Sequence, residues 1–179
     1  MADCGAAHPA DVRRKERPII LSSMIFIHGL VSSGKGFKAR LLRKLFSGIL
    51  TPDFTGPLEA RMEQLRPILG DKAGWTVIGS SFGGLMAALW ACRNPERVHK
   101  LILFAPALIH PAFSSPPPAP VSVPTIVYHG ENDMVVPLQP VRALCEQVFL
   151  DLTFHAVDDD HRLHKTVQAL DWQALMREP

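Results

Sequence analysis

The sequence predicts a single α/β domain: a mainly parallel sheet of about six strands with helices on both faces. Apolar runs alternate with amphipathic helical patterns along the chain, which is the mark of βα units. The runs Val98–Phe104 and Thr125–His129 read as strands buried on both faces. A length of 179 residues suits one hydrophobic core.

The elements follow in order. Residues 1–17 are expected to form a disordered or loosely ordered arm, with the domain occupying residues 18–179. The basic stretch Arg13–Arg17 and the run PIILSSMIFI faintly resemble a signal peptide. Ser22-Ser23 interrupts that run, His28-Gly29 ends it, and it is too short to cross a bilayer. Ser23–His28 is the first strand, and Phe37–Phe46 an amphipathic helix with Leu41, Leu42 and Leu45 on one face. Gly48–Phe54 is a candidate short strand and Leu58–Leu69 a second helix. Strand Trp75–Ile78 precedes an Ala/Leu-rich helix, Leu85–Arg93, that stops at Asn94-Pro95. Beyond the two buried strands, Val141–Phe149 reads as helix, Asp151–Val157 as strand and Leu163–Met176 as a final helix. The Pro-rich segment 110–124 excludes regular structure and favours an extended connection.

Composition removes several function classes. A net charge of +2 supplies no field for nucleic acid or an anionic membrane. Three cysteines without CxxC spacing point to a reducing, cytoplasmic setting, with Cys92 and Cys145 filling the core. No His/Cys/Asp grouping has metal-ligand spacing, so neither a metal nor a cofactor is implied.

The chemistry gathers at Gly79-Ser80-Ser81-Phe82-Gly83-Gly84, a G-x-S-x-G between a strand and a helix. A serine on so sharp a turn needs neighbours without bulky Cβ substituents two residues before and two after, and Gly79 and Gly83 meet that need. By chance the pattern arises in roughly one chain in twenty of this length, so it requires partners. A serine hydroxyl needs a base, and the base an orienting carboxylate. Asp133 lies just past the end of strand Thr125–His129, and His161 past the end of Asp151–Val157. All three stand at carboxyl ends of strands, where open α/β sheets place ligands.

These landmarks together, with His28-Gly29 after the first strand, HGENDMVVP and DDDHRL, resemble the α/β-hydrolase family over nearly the whole chain. The resemblance implies an α/β-hydrolase fold and a serine hydrolase in which Ser81 attacks, His161 is general base and Asp133 orients it. Backbone amides of Phe82 and Leu30 would then form the oxyanion hole. The chain departs from the family where antiparallel strands would precede the first strand and where a lid would interrupt residues 105–124. The expected substrate is a small-molecule ester or thioester of a small to medium acyl group, with Val31, Met134 and Val135 lining its pocket. A binding module without turnover and a lyase-type, cofactor-free enzyme are the alternatives.

Other residues offer competing assignments. Gly29 to Lys35 has the G-x-x-x-x-G-K spacing of a phosphate loop, but Gly36 stands where Mg²⁺ needs Ser or Thr. Lys35 is expected near a helix start with its charge in solvent, binding an acidic substrate being the alternative. Asp53 is expected to tie down its loop. Asp158, Asp159 or Asp160 could replace Asp133, and His164 could replace His161. His28 and His129 read as strand-end residues that support the site.

Overall fold

The computed structural model describes residues 23–177; the N-terminal arm and the start of the domain at residue 18 lie outside them. Five parallel strands form one sheet in sequential order: β1 (Met24–Ile27), β2 (Trp75–Ser80), β3 (Val98–Phe104), β4 (Thr125–Gly130) and β5 (Leu152–Val157). Every residue of β1, β2 and β4 is buried, which is why these segments read as continuous apolar runs rather than alternating ones. β5, at the edge, is half-exposed.

Because side chains alternate across a strand, the sheet feeds two cores. Ile25, Ile27, Val77, Leu101, Leu103 and Val127 face one core, completed by α2 (Leu58–Leu69), α3 (Phe82–Arg93) and α5 (Leu138–Val148). Met24, Phe26, Ile78, Ile102, Phe104 and Tyr128 face the other, closed by α1 (Phe37–Leu45), α6 (His164–Ala169) and α7 (Trp172–Arg177). Helices therefore cover both faces, and every strand runs its carboxyl end toward the same edge. In α1 the buried positions are Ala39 and Leu42, whereas Leu45 is exposed.

Several details differ from the sequence reading: β2 runs on to Ser80 and α3 begins at Phe82, three residues before Leu85. The sixth strand is reduced to a single parallel bridge, Ile25 to Leu50, in which Leu50 pairs with the backbone of Met24 and Phe26. The last helix is two, because Leu170 turns extended and the Asp171 carboxylate accepts the amides of Gln173 and Ala174, capping a new helix. α5 starts three residues early: Pro140 lies in its first turn, where a missing N–H costs nothing. Within the Pro-rich connection a one-turn helix forms (α4, Pro111–Ser114), with the His110 ring accepting the Ala112 amide.

Candidate functional site

The carboxyl edge of the sheet carries Ser81 between β2 and α3. Its backbone sits at φ 56° and ψ −118°, a conformation that costs about 1–3 kcal/mol for a residue with a side chain. Its surroundings hold it there. The Ser81 amide donates to Phe104 O at 2.9 Å, and Ser81 O accepts from Leu85 at 3.1 Å and Ala107 at 3.0 Å. The sharpness of the turn brings α3 against β1 and β2. A Cβ on Gly83 would fall 2.1 Å from Ile27 O, and one on Gly79 would fall 2.6 Å from Gly83 O. Neither position admits any side chain.

The same closeness lays the loop after β1 beside the serine. Gly29 is so near that a Cβ there would be 3.3 Å from Ser81 Cβ. The His28 ring ties this loop down: Nε2 accepts the Phe54 amide at 3.0 Å, so Nδ1 carries the proton and donates to Gly29 O at 2.7 Å. Asp53, as expected, secures the loop too, accepting the Gly34 amide at 2.5 Å. Ser33 Oγ accepts the Lys35 amide, and Lys35 is exposed. Among the described residues the amides of Leu30 and Phe82 donate no hydrogen bond, and Phe82 opens α3, whose first N–H groups have no helical acceptor.

Asp133 and His161 complete the arrangement. The side chain of Asp133 is fully buried, and its Oδ1 accepts the amides of Val135 and Val136, both at 2.8 Å. Its Oδ2 is 2.7 Å from His161 Nδ1, and His161 Nε2 is 3.0 Å from Ser81 Oγ. A carboxylate can only accept, so Nδ1 holds the proton and Nε2 is free to accept one from the serine hydroxyl. The loop that carries His161 is fastened by Asp160, which accepts the amides of Arg162 and Leu163, and by Lys38 Nζ, which donates to Arg162 O at 2.5 Å. Burial pulls the Lys38 ammonium down to about 8 against the opposing charges of Asp159 and Asp160.

The rival assignments are not assembled. Asp158 pairs with Lys165 and Asn132, Asp159 accepts from Thr166, and Asp160 bonds its own turn. His164 packs its ring on Phe37 at 4.2 Å. A neighbour whose contact the strand-end pattern did not specify is His129. It is wholly buried, its Nε2–H donates to Val136 O at 2.9 Å, and the same nitrogen is 3.3 Å from Asp133 Oδ2. Its place two residues before a loop rich in acceptors was the available signal. Val31, Met134 and Val135 are 101%, 95% and 66% exposed, so these apolar side chains stand in solvent on the loops after β1 and β4. Cys145 lies in the core and Cys92 against it, and burial pushes their thiols up to about 12 and about 11.

Comparison with known proteins agrees with this fold. A family model for the alpha/beta hydrolase fold matches residues 47–123, a span that includes the Ser81 turn. Mouse alpha/beta hydrolase domain-containing protein 10 superposes with a TM-score of 0.68 at 19% identity, over 88% of this chain and 91% of its own. A hydrolase of the alpha/beta superfamily from Xanthomonas campestris gives 0.67 at 26% identity, over 83% and 91%. Est1E from Butyrivibrio proteoclasticus, solved with ferulic acid bound, gives 0.68 at 15% identity, over 85% and 87%. No curated protein sequence gives a significant match. The family model over residues 47–123 and the superpositions show that the chain has the alpha/beta hydrolase fold. No helix of the described residues is long and apolar enough to cross a membrane.

Proposed function

We propose that the protein is a cytoplasmic serine hydrolase that cleaves a small-molecule carboxylic ester or thioester of a small to medium acyl group. The observation that carries this reading is the unbroken chain from Ser81 Oγ through His161 to the buried Asp133, with contacts of 3.0 and 2.7 Å.

As Ser81 Oγ attacks the acyl carbonyl, His161 Nε2 takes its proton. Asp133 keeps the ring in the tautomer that leaves Nε2 free and stabilises the imidazolium that forms. Negative charge developing on the carbonyl oxygen meets the Phe82 and Leu30 amides and the positive end of α3. Losing one such donor would raise the barrier by on the order of 3 kcal/mol. His161 then protonates the leaving alkoxide or thiolate, and an acyl-Ser81 ester remains. Water, deprotonated by His161, attacks it and releases the acid. The exposed Leu30, Val31, Met134 and Val135 would offer an open apolar rim to the acyl chain.

The test compares release of p-nitrophenol from acetyl, butyryl and octanoyl esters by the wild type and Ser81→Ala. Turnover that disappears in Ser81→Ala, together with stoichiometric labelling of wild-type Ser81 by a fluorophosphonate, supports the reading. Equal inertness and no labelling would remove it.

A further inference from the structure

Arg61, in the first turn of α2, is only 5% exposed. Its Nε–H donates to Gly56 O at 2.9 Å, and its guanidinium carbon lies 5.5 Å from the centre of the Phe82 ring. Its Nη1 is buried with no hydrogen-bond partner. Among the described residues no carboxylate comes within ion-pair distance of it. Arg97, by contrast, is paired with Asp71 and Glu96, and the buried Lys100 ammonium donates to Leu175 O.

A guanidinium cannot shed its proton, so burial without a counter-ion leaves a standing desolvation cost. One backbone hydrogen bond and one aromatic face do not offset it fully. A neutral side chain of the same length would pack the same stem more cheaply. The charge is therefore the feature to explain, and its place supplies the explanation. Phe82 directly follows Ser81, and α2 begins here without a side-chain cap, so its positive end adds to the field. The neighbouring acids do not neutralise it: Glu59 is exposed, and Asp53 is committed to the Gly34 amide.

We propose that Arg61 determines specificity by receiving a carboxylate at the far end of the acyl group. The preferred substrate is then an ester or thioester of a dicarboxylic acid, with its free carboxylate on the Arg61 fork and its chain along Phe82. This assignment rests on Ser81 being the attacking group.

The test reads binding separately from turnover. Monomethyl glutarate and its neutral isostere, methyl glutaramate, are titrated calorimetrically into Ser81→Ala. The acid is expected to bind at least about ten-fold tighter, with the advantage lost in Ser81→Ala/Arg61→Met and partly kept in Ser81→Ala/Arg61→Lys. Equal binding of the two ligands, or a preference that survives Arg61→Met, overturns the proposal. Should Arg61→Met fail to fold, the two-ligand comparison on Ser81→Ala decides alone. In the otherwise wild-type enzyme, Arg61→Met should raise KM for p-nitrophenyl hemiglutarate far more than it lowers kcat. Absence of turnover alongside a clear acid preference in binding would remove the esterase reading and leave Arg61 as an anion site.

Discussion

His161 meets Asp133 at 2.7 Å through a carboxylate that is itself immobilised, its second oxygen taken by the amides of Val135 and Val136. The acid is thus oriented before the histidine docks on it. Asp133→Asn preserves the shape but turns an acceptor into a donor wherever its NH2 group faces His161. The ring must then invert its tautomer, and Nε2 can no longer take the serine proton. We expect kcat for an activated ester to fall about 10³–10⁴-fold with KM little changed. A loss below ten-fold would transfer the orienting role to the nearby Asp158–Asp160 run.

The strain at Ser81 predicts a separation of stability from activity. Ser81→Gly releases a φ of 56° that glycine adopts freely, at the cost of a more flexible unfolded chain. The balance should favour the variant by about 1 kcal/mol, which is about 2–4 °C in Tm for a domain of this size. Ser81→Ala keeps its Cβ and should gain little. Both should be inactive. Identical melting temperatures for the two variants would place the cost of the turn elsewhere.

Gly83→Ala tests the close packing that builds the turn. The added methyl would land 2.1 Å from Ile27 O and 2.5 Å from His28 O, both backbone atoms that cannot step aside. α3 must then lift from β1, carrying the Phe82 amide with it. A destabilisation of about 1–3 kcal/mol or more is expected in urea titrations, with esterase activity lost even in the folded fraction. Gly48→Ala is the control, since nothing lies within 4 Å of the added Cβ and only the cost of its φ of 87° applies.

The sheet was legible because strands buried on both faces leave long apolar runs, and the order of Ser81, Asp133 and His161 along those strand ends carried the site. What escaped depended on side chains acting on backbone. Asp171 splits the last helix through two amide bonds, although the apolar pattern around it continues unbroken. Leu50 carries a strand-like pattern but finds one paired residue only. Arg61 shares the buried stripe of α2 with Leu58, Met62, Leu65 and Leu69, so its burial was written in the helical period. That it would lack a counter-ion was not, because pairing depends on residues distant in sequence. The open setting of Val31, Met134 and Val135 is likewise a property of loop conformation that apolar character does not report.

The pH dependence of folding should expose His129. Burial is the main force holding its pKa below the ordinary 6.5; the Val136 carbonyl and Asp133 act the other way, and His161 adds to the depression. His164 is lowered as well, by burial and then by Lys38 and Arg162. With the folded pKa below the unfolded one, the unfolded chain takes up protons first as the solution acidifies. The stability contributed above about pH 6.5 is therefore lost as pH falls through that value toward the folded pKa. Urea midpoints should drop between pH 7 and pH 5. His129→Gln retains a donor for Val136 O but removes the titrating ring, so its midpoint should fall less steeply over the same interval. At pH 7 the variant should also show reduced kcat, because the Asp133 carboxylate loses a neighbour 3.3 Å away. If the two proteins keep parallel pH profiles, His164 and the surface carboxylates carry the acid sensitivity, and His129 serves packing alone.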